Sequence, residues 1–283
     1  MFFIPLFDDN PTGSRPYVSW LILISCILVF FWQISLSPAL GQLAAYQYGV
    51  VPALLFGHEA LPAEIARVPA WASIFTSMFL HGDWMHLIFN MLYLWIFADN
   101  VEVAMGRVRF ILFYACCGIA AALLQGLIDT SSTIPMIGAS GGIAGILGAY
   151  IMLHPRASVR VFMIILIFIR IISLPAWLVL GVWILGQFAA APTAFSGGGG
   201  VAYFAHIGGF LAGMALVPLF KQRHIPLFDG DKPQADAEQR WSSTPISLQQ
   251  LRSEARQRYT KLEAGPRSGS VPAFRRRPPG PWG

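Results

Sequence analysis

A single serine stands near the predicted start of an apolar helix, in the glycine-rich stretch PMIGASGGIAGILGAY, residues 135–150. A serine at a helix N-terminus lies beside unpaired backbone N–H groups and the positive end of the helix dipole, and a developing oxyanion is stabilised by both. Ser140 is therefore a candidate nucleophile. Taken alone, the stretch also fits a packing stripe with an incidental serine, and the rest of the chain favours the nucleophile.

The glycines of this stretch that share one helical face, at about 100° per residue, are Gly138, Gly141, Gly145 and Gly148. A stripe of small residues lets another helix approach closely within a membrane. In AHIGGFLAG, residues 205–213, His206 shares a face with Gly209 and Gly213. We therefore expect these two helices to pack through their glycines, which would bring His206 within hydrogen-bonding reach of Ser140.

A histidine within hydrogen-bonding reach of a serine is the arrangement of a base-activated nucleophile. The sequence places no Asp or Glu where it could orient His206. We therefore predict a dyad, with Ser140 as the nucleophile and His206 as the general base, rather than a triad. The alternative is that His206 only hydrogen-bonds a neighbouring carbonyl group.

Two further polar side chains lie on one face of another predicted helix. His86 and Asn90 are four residues apart in HGDWMHLIFN, and both can donate hydrogen bonds. With the backbone N–H of Ser140 they would form an oxyanion hole. His81 is rotated off that face or precedes the helix, and we expect it to organise the loop above.

Two other chemistries fit the same residues less well. His81, His86 and His206 with Asp83 could ligate a metal, but i, i+5 spacing does not place two histidines on one face and there is no HExxH motif. GASGG also matches the GxSxG elbow of soluble hydrolases, which requires a strand before the serine, and the sequence predicts no strands. We predict no metal and no cofactor.

The composition is that of a membrane protein. Of 283 residues, 55% are hydrophobic and 12% are charged, and the mean hydropathy is +0.59. A soluble domain carries about twice that share of charge. Of the 19 Lys and Arg, 12 follow residue 220, so the net charge of +5 mainly describes the tail. We predict an all-α, polytopic bundle of six transmembrane helices and no nucleic-acid partner.

The apolar pattern divides the chain into a lead-in at 1–16, a six-span domain at 17–220 and a tail at 221–283. The predicted spans are 17–35, 81–98, 110–128, 137–153, 174–188 and 201–220. Residues 159–173 fit either an interfacial segment or the start of a longer fifth helix, with Pro175 marking the break. In the tail, 247–264 could form a short helix, and the Pro- and Arg-rich end is expected to be disordered, with lipid contact as the alternative.

The basic residues indicate the orientation. With both termini in the cytoplasm, the inner loops and flanks hold Arg15, Arg107, Arg109, Arg156, Arg160, Lys221 and Arg223, and the outer loops hold only Arg67. The second, fourth and sixth spans then all begin on the outer side, and each carries its polar residues at that end. Ionisable residues at one depth of a membrane indicate a functional site.

These motifs resemble the rhomboid family of intramembrane serine proteases. The matching residues are HGDWMHLIFN, GASG at 138–141 and AHIGG at 205–209, in that order on alternate spans. The resemblance covers roughly residues 1–220 and implies the same nucleophile, base and oxyanion hole, with Gly138 shaping the turn. Two positions depart from it. Trp71 is followed by Ala72 rather than Arg, and Ala144 stands where some relatives place an aromatic that stacks on the histidine.

The resemblance implies a protease that cleaves transmembrane segments of membrane proteins near the outer face of a membrane. We expect a multi-pass integral protein of a bacterial inner membrane, in contact with lipid and with transmembrane protein substrates, and of unknown oligomeric state. The alternatives are an inactive rhomboid-like protein that binds membrane clients, and a transporter. A transporter would predict acidic residues or broken helices near the midplane, and the sequence has neither.

Overall fold

The computed structural model describes residues 2–165, 168–196 and 201–228. The predicted helix at 247–264 and most of the predicted tail lie outside the described residues. The division into lead-in, membrane domain and tail therefore stays a prediction.

The described elements, in chain order, are β1 (Phe2–Asp8), α1 (Tyr17–Ser35), α2 (Pro38–Tyr48), α3 (Pro52–Leu55), α4 (Ala70–Thr76), a 3₁₀ helix (Ser77–Phe79), α5 (Trp84–Met105), α6 (Arg107–Ile128), α7 (Ser140–Leu153), β2 (Ser158–Ile165), β3 (Phe168–Pro175), α8 (Ala176–Ala190), a second 3₁₀ helix (Ala191–Ser196) and α9 (Tyr203–Phe220).

Within the described residues, five helical segments are long and apolar enough to cross a membrane: α1, α5, α6, α9, and Ala176–Thr193, which begins with α8. The predicted polytopic helical bundle is thus confirmed, and the chain is an integral membrane protein. The fourth predicted span, α7, has only 14 residues, about 21 Å at 1.5 Å per residue, so the count of six spans stays a prediction. This helix is enclosed by protein, because every residue from Gly141 to Tyr150 is buried.

The helix α5, which carries His86 and Asn90, begins later and ends later than the predicted span at 81–98. The side chain of Asp83 accepts a hydrogen bond from the backbone N–H of His86 at 2.9 Å, which caps α5 and starts it at Trp84 rather than at residue 81. At the other end no residue breaks the helix before Gly106, whose φ of +80° is readily adopted only by glycine.

The helices α7 and α9 make the predicted close approach through glycines. A Cβ at Gly209 would collide with the carbonyl oxygen of Gly141, and a Cβ at Gly213 would collide with that of Gly145. On its other side, Gly141 faces α6, since a Cβ there would lie 2.5 Å from Cβ of Ala121. The backbones therefore touch, and this contact sets the separation of the two helices that carry Ser140 and His206.

A three-stranded antiparallel sheet, in the order β1-β2-β3, accompanies the helical bundle. The prediction of no strands is wrong. The interpretation of residues 159–173 as the start of a longer fifth helix is also wrong, because β2 and β3 occupy 158–165 and 168–175, while an interfacial position of this segment stays a prediction. Val159 and Val161 are buried while Arg160 between them is exposed, the alternation of a strand with one covered face. The lead-in pairs with β2 as β1, with a bulge between Pro5 and Phe7.

Two carboxyl groups join the N-terminal segment to the bundle. Glu102 of α5 accepts hydrogen bonds from the backbone N–H groups of Val18 and Ser19, at 3.0 and 2.8 Å, and so caps the start of α1. Asp8 accepts from the hydroxyl of Tyr150 on α7, at 2.5 Å, and from Nδ2 of Asn100 at 3.0 Å. Burial raises the pKa of Asp8 to about 7.

Candidate active site

The predicted catalytic residues line one cavity of about 1090 Å³, which is bounded by residues of α5, α6, α7, α8 and α9. The predicted site residues in its lining are His86, Asn90, Ser140 and His206. Other polar residues of its wall are Asp83, Gln125, Asp129 and Ser132. A cavity of this size with several polar groups can hold the water that a hydrolysis consumes.

Ser140 is the first residue of α7, so its backbone N–H has no partner within the helix. Gly138, two residues earlier, has a φ of +128°, which L side chains rarely adopt. A Cβ at Gly138 would also lie 2.6 Å from Nε2 of His86. Both the backbone conformation and the space therefore require glycine here, and the His86 ring lies directly against the turn that presents the serine.

The hydrogen bonding of His86 determines which ring nitrogen can donate. Its Nδ1 accepts from the backbone N–H of Gly82 at 3.4 Å. A backbone N–H can only donate, so Nδ1 carries the lone pair and the proton of the neutral ring lies on Nε2. Because Nε2 is the nitrogen next to Gly138, His86 presents an N–H donor beside the start of α7.

Asn90 lies one turn further along α5 and also lines the cavity. Its side chain is buried, and its Nδ2 has no hydrogen-bond partner among the described residues. A buried amide without a partner is costly, so such a group in a native structure requires an explanation. An oxyanion bound in the cavity would supply the missing acceptor.

His206 lines the same cavity as Ser140, but no hydrogen bond between their side chains occurs among the described residues. Nδ1 of His206 instead bonds Oε1 of Gln187 on α8 at 2.7 Å. The ring also packs against Trp183 of α8, with centroids 5.7 Å apart. Bonds between a nucleophile and its base are often long without substrate and tighten in the complex, and here Nε2 is the ring nitrogen that remains for Ser140.

The other predicted supporting residues lie around the cavity rather than in its wall. His81 precedes α5 and is buried; its backbone N–H donates to Oε1 of Gln33 on α1 at 2.9 Å. Its ring centroid lies 5.1 Å from that of His86. Burial lowers the pKa of His81 to about 4, so this imidazole is neutral at physiological pH. Gly141, Gly209 and Gly213 lie in the α7–α9 contact.

Sequence reasoning missed three residues next to His206. Gln187 and Trp183 contact its ring, and Gln125 of α6 accepts from the backbone N–H of Ala205 at 3.2 Å, which fixes the start of α9. The signal was available in part, because a glutamine within an apolar span is unusual and Gln187 follows Trp183 by four residues.

The alternative of a metal site formed by His81, His86, His206 and Asp83 gains no support from the arrangement of these side chains. Within residues 2–165, 168–196 and 201–228, no group of three His, Cys, Asp or Glu side chains is arranged to hold a metal ion.

A family model described as the Rhomboid domain matches residues 69–223, which is more than half of the chain. Rhomboid protease GlpG of Salmonella choleraesuis is 26% identical over 203 residues, covering 70% of this chain and 61% of that protein. Rhomboid protein 1, mitochondrial, of Saccharomyces cerevisiae is 30% identical over 146 residues, covering 50% and 40%.

Rhomboid-like protein 11, chloroplastic, of Arabidopsis thaliana is 27% identical over 173 residues, covering 58% of this chain and 57% of that protein. The matches thus span between 40% and 61% of the length of these three relatives.

Proposed function

Because this chain belongs to the rhomboid family, we propose that it is an intramembrane serine protease that cleaves transmembrane segments of other membrane proteins. One observation carries the proposal: four polar side chains from three helices, each expected from the sequence to do chemistry, line a single cavity inside an apolar bundle. Ionisable groups in such surroundings are costly and are usually functional.

In the proposed reaction, Oγ of Ser140 attacks the scissile carbonyl carbon while Nε2 of His206 takes the hydroxyl proton. The oxyanion that forms accepts hydrogen bonds from Nε2–H of His86, Nδ2–H of Asn90 and the backbone N–H of Ser140. His206 then gives its proton to the leaving amine, and the C–N bond breaks to leave an acyl-enzyme. Water, with His206 again as base, hydrolyses the ester and restores the free hydroxyl.

The substrate must expose a backbone carbonyl, and a helix shields its carbonyls by internal hydrogen bonds. We therefore expect substrates whose transmembrane segment unwinds readily, with small or helix-breaking residues at the depth of Ser140. The distribution of basic residues supports an orientation with both termini in the cytoplasm, and we propose that this depth lies near the outer face of a bacterial inner membrane. A reporter enzyme fused after Phe220 tests the orientation: it is expected to be active only if it is cytoplasmic, and periplasmic activity would contradict the proposal.

Single substitutions test the chemistry on a transmembrane reporter substrate in liposomes. Ser140→Ala and His206→Ala are each expected to lower cleavage by about 10³-fold or more. The matched controls are Ser35→Ala and His58→Ala, because both side chains are exposed and lie outside the cavity. Cleavage at the wild-type rate by either site variant would refute the dyad, and a wild-type protein that binds but does not cleave the reporter would favour the inactive client-binding alternative.

A further inference from the structure

The base of the proposed dyad is contacted by two side chains of α8. Gln187 accepts a hydrogen bond from Nδ1 of His206, and Trp183, one turn earlier, packs against the ring. Another face of this helix is turned outward, since the large side chains of Trp177, Val182 and Leu185 are exposed, while Val179, Leu180 and Ile184 are buried. The face of α8 that bears Trp183 and Gln187 therefore meets the imidazole.

The partner atom on Gln187 fixes the tautomer of the histidine. Oε1 is a carbonyl oxygen, which carries no hydrogen and can only accept. At 2.7 Å from this oxygen, Nδ1 of His206 must carry the proton. In a neutral imidazole the lone pair then lies on Nε2, the nitrogen that must receive the proton of Ser140.

We propose that Gln187 is a positioning residue that holds His206 in the Nδ1-protonated tautomer. Gln187 would then take the orienting role that a carboxylate has in a triad, and this inference rests on the proposed function. A neutral amide suits this place, because a carboxylate within an apolar bundle would have to be desolvated. Trp183 supports the same ring from the side. Residue 144 of α7 does not support the ring, because it is an alanine. It is completely buried where α7 meets α9, so this position has no room for a larger side chain.

The experiment compares Gln187→Leu, Gln187→Asn and Gln187→Glu with Gln47→Leu. Gln47 is the matched control, because its amide donates a hydrogen bond to the carbonyl of Ile65 at 2.9 Å and lies outside the cavity. Leucine removes the acceptor and asparagine is one methylene too short to reach Nδ1. Both are expected to lower kcat by about two- to tenfold, with KM nearly unchanged.

Gln187→Glu keeps an acceptor at the same distance and is expected to retain activity. Its carboxylate favours the imidazolium, so the rise of kcat/KM with pH should move to higher pH than in the wild type. The titratable groups that share the cavity with His206 are Asp83, His86, Tyr93 and Asp129. All of them are present in every variant, so a shift that occurs only in Gln187→Glu is attributable to residue 187.

Nitrogen-15 NMR of the histidine rings in detergent micelles reads the tautomer directly and does not depend on cleavage. We expect a protonated Nδ1 in the wild type and in Ser140→Ala, and a mixture of tautomers in Gln187→Leu. A protonated Nε2 in the wild type, or a Gln187→Leu variant with unchanged kcat and pH profile, would overturn the inference. A wild-type protein with protonated Nδ1 and no cleavage would instead refute the proposed function and leave the positioning of the ring intact.

Discussion

The contact between α7 and α9 makes a quantitative prediction for Gly209→Ala. A Cβ at residue 209 would collide with the carbonyl oxygen of Gly141 and lie 3.0 Å from its carbonyl carbon. Non-bonded carbon atoms prefer about 3.5–4.0 Å, and backbone atoms cannot rotate away, so α9 must retreat from α7 by on the order of 1 Å. Overpacking of this kind costs about 1–3 kcal/mol.

The same displacement would act on the proposed catalysis, because Ser140 lies on α7 and His206 lies one turn before Gly209 on α9. A misplacement of about 1 Å between reacting groups can lower a rate by about 10²-fold. Gly209→Ala is therefore expected to lose about two orders of magnitude in kcat. It should also unfold about 2–12 °C below the control in detergent.

The control is Gly186→Ala on α8, where an added Cβ would meet nothing within 4 Å. Alanine is favoured over glycine within a helix by about 1 kcal/mol, so this variant should be as stable as the wild type or more so. Thermal unfolding and cleavage of the transmembrane reporter are measured for both. If Gly209→Ala melts and cleaves like Gly186→Ala, the glycines do not set the distance between the dyad helices, and the reasoning fails.

Two other substitutions test the site and the sheet. Asn90→Ala removes a buried amide whose Nδ2 has no hydrogen-bond partner in the described part of the chain, so we expect kcat to fall by about 10²–10³-fold while the unfolding temperature stays the same or rises. A lower unfolding temperature with unchanged kcat would contradict the oxyanion role. Asp8→Asn tests the raised pKa of Asp8: its carboxyl binds a proton more tightly in the folded state, with a pKa of about 7 against 3.8 when exposed, so its stabilisation is complete below about pH 4 and is lost as the pH rises through 7. The wild type should therefore melt at a lower temperature at pH 7.5 than at pH 4.5, and this difference should shrink in Asp8→Asn; an equal pH dependence in both proteins would refute the shift.

The packing of the site was predictable where it depends on residue spacing alone. Glycines at i, i+3 and i+4 intervals leave a smooth face on any helix, so the approach of α7 to α9 could be predicted from Gly141 and Gly209 without knowing the rest of the bundle. The same holds for His86 and Asn90, because four residues in a helix bring two side chains to one face.

The contact of Gln187 with His206 and the β-sheet could not be predicted in this way. The first depends on the rotation of α8 about its axis and the second on pairing between strands that are far apart in the chain, and residue spacing determines neither. Gln187 lies 19 residues before His206, and only the rotation of α8 about its axis decides whether its amide faces the cavity or the lipid. The strands at 158–175 form an apolar run in which helix and strand patterns look alike. The other partner of β2 is β1, about 150 residues away along the chain, so no local signal in the sequence indicates this pairing.

The enclosure of α7 has a consequence for how the protein responds to different bilayers. A helix exposed to lipid must match the hydrocarbon thickness, about 30 Å, by tilting or by deforming the lipid around it. With 14 residues, and with protein on every side from Gly141 to Tyr150, α7 is largely relieved of that requirement. Thickness mismatch therefore acts on α1, α6, α8 and α9, while the height of Ser140 is determined by the neighbouring helices rather than by the lipid composition.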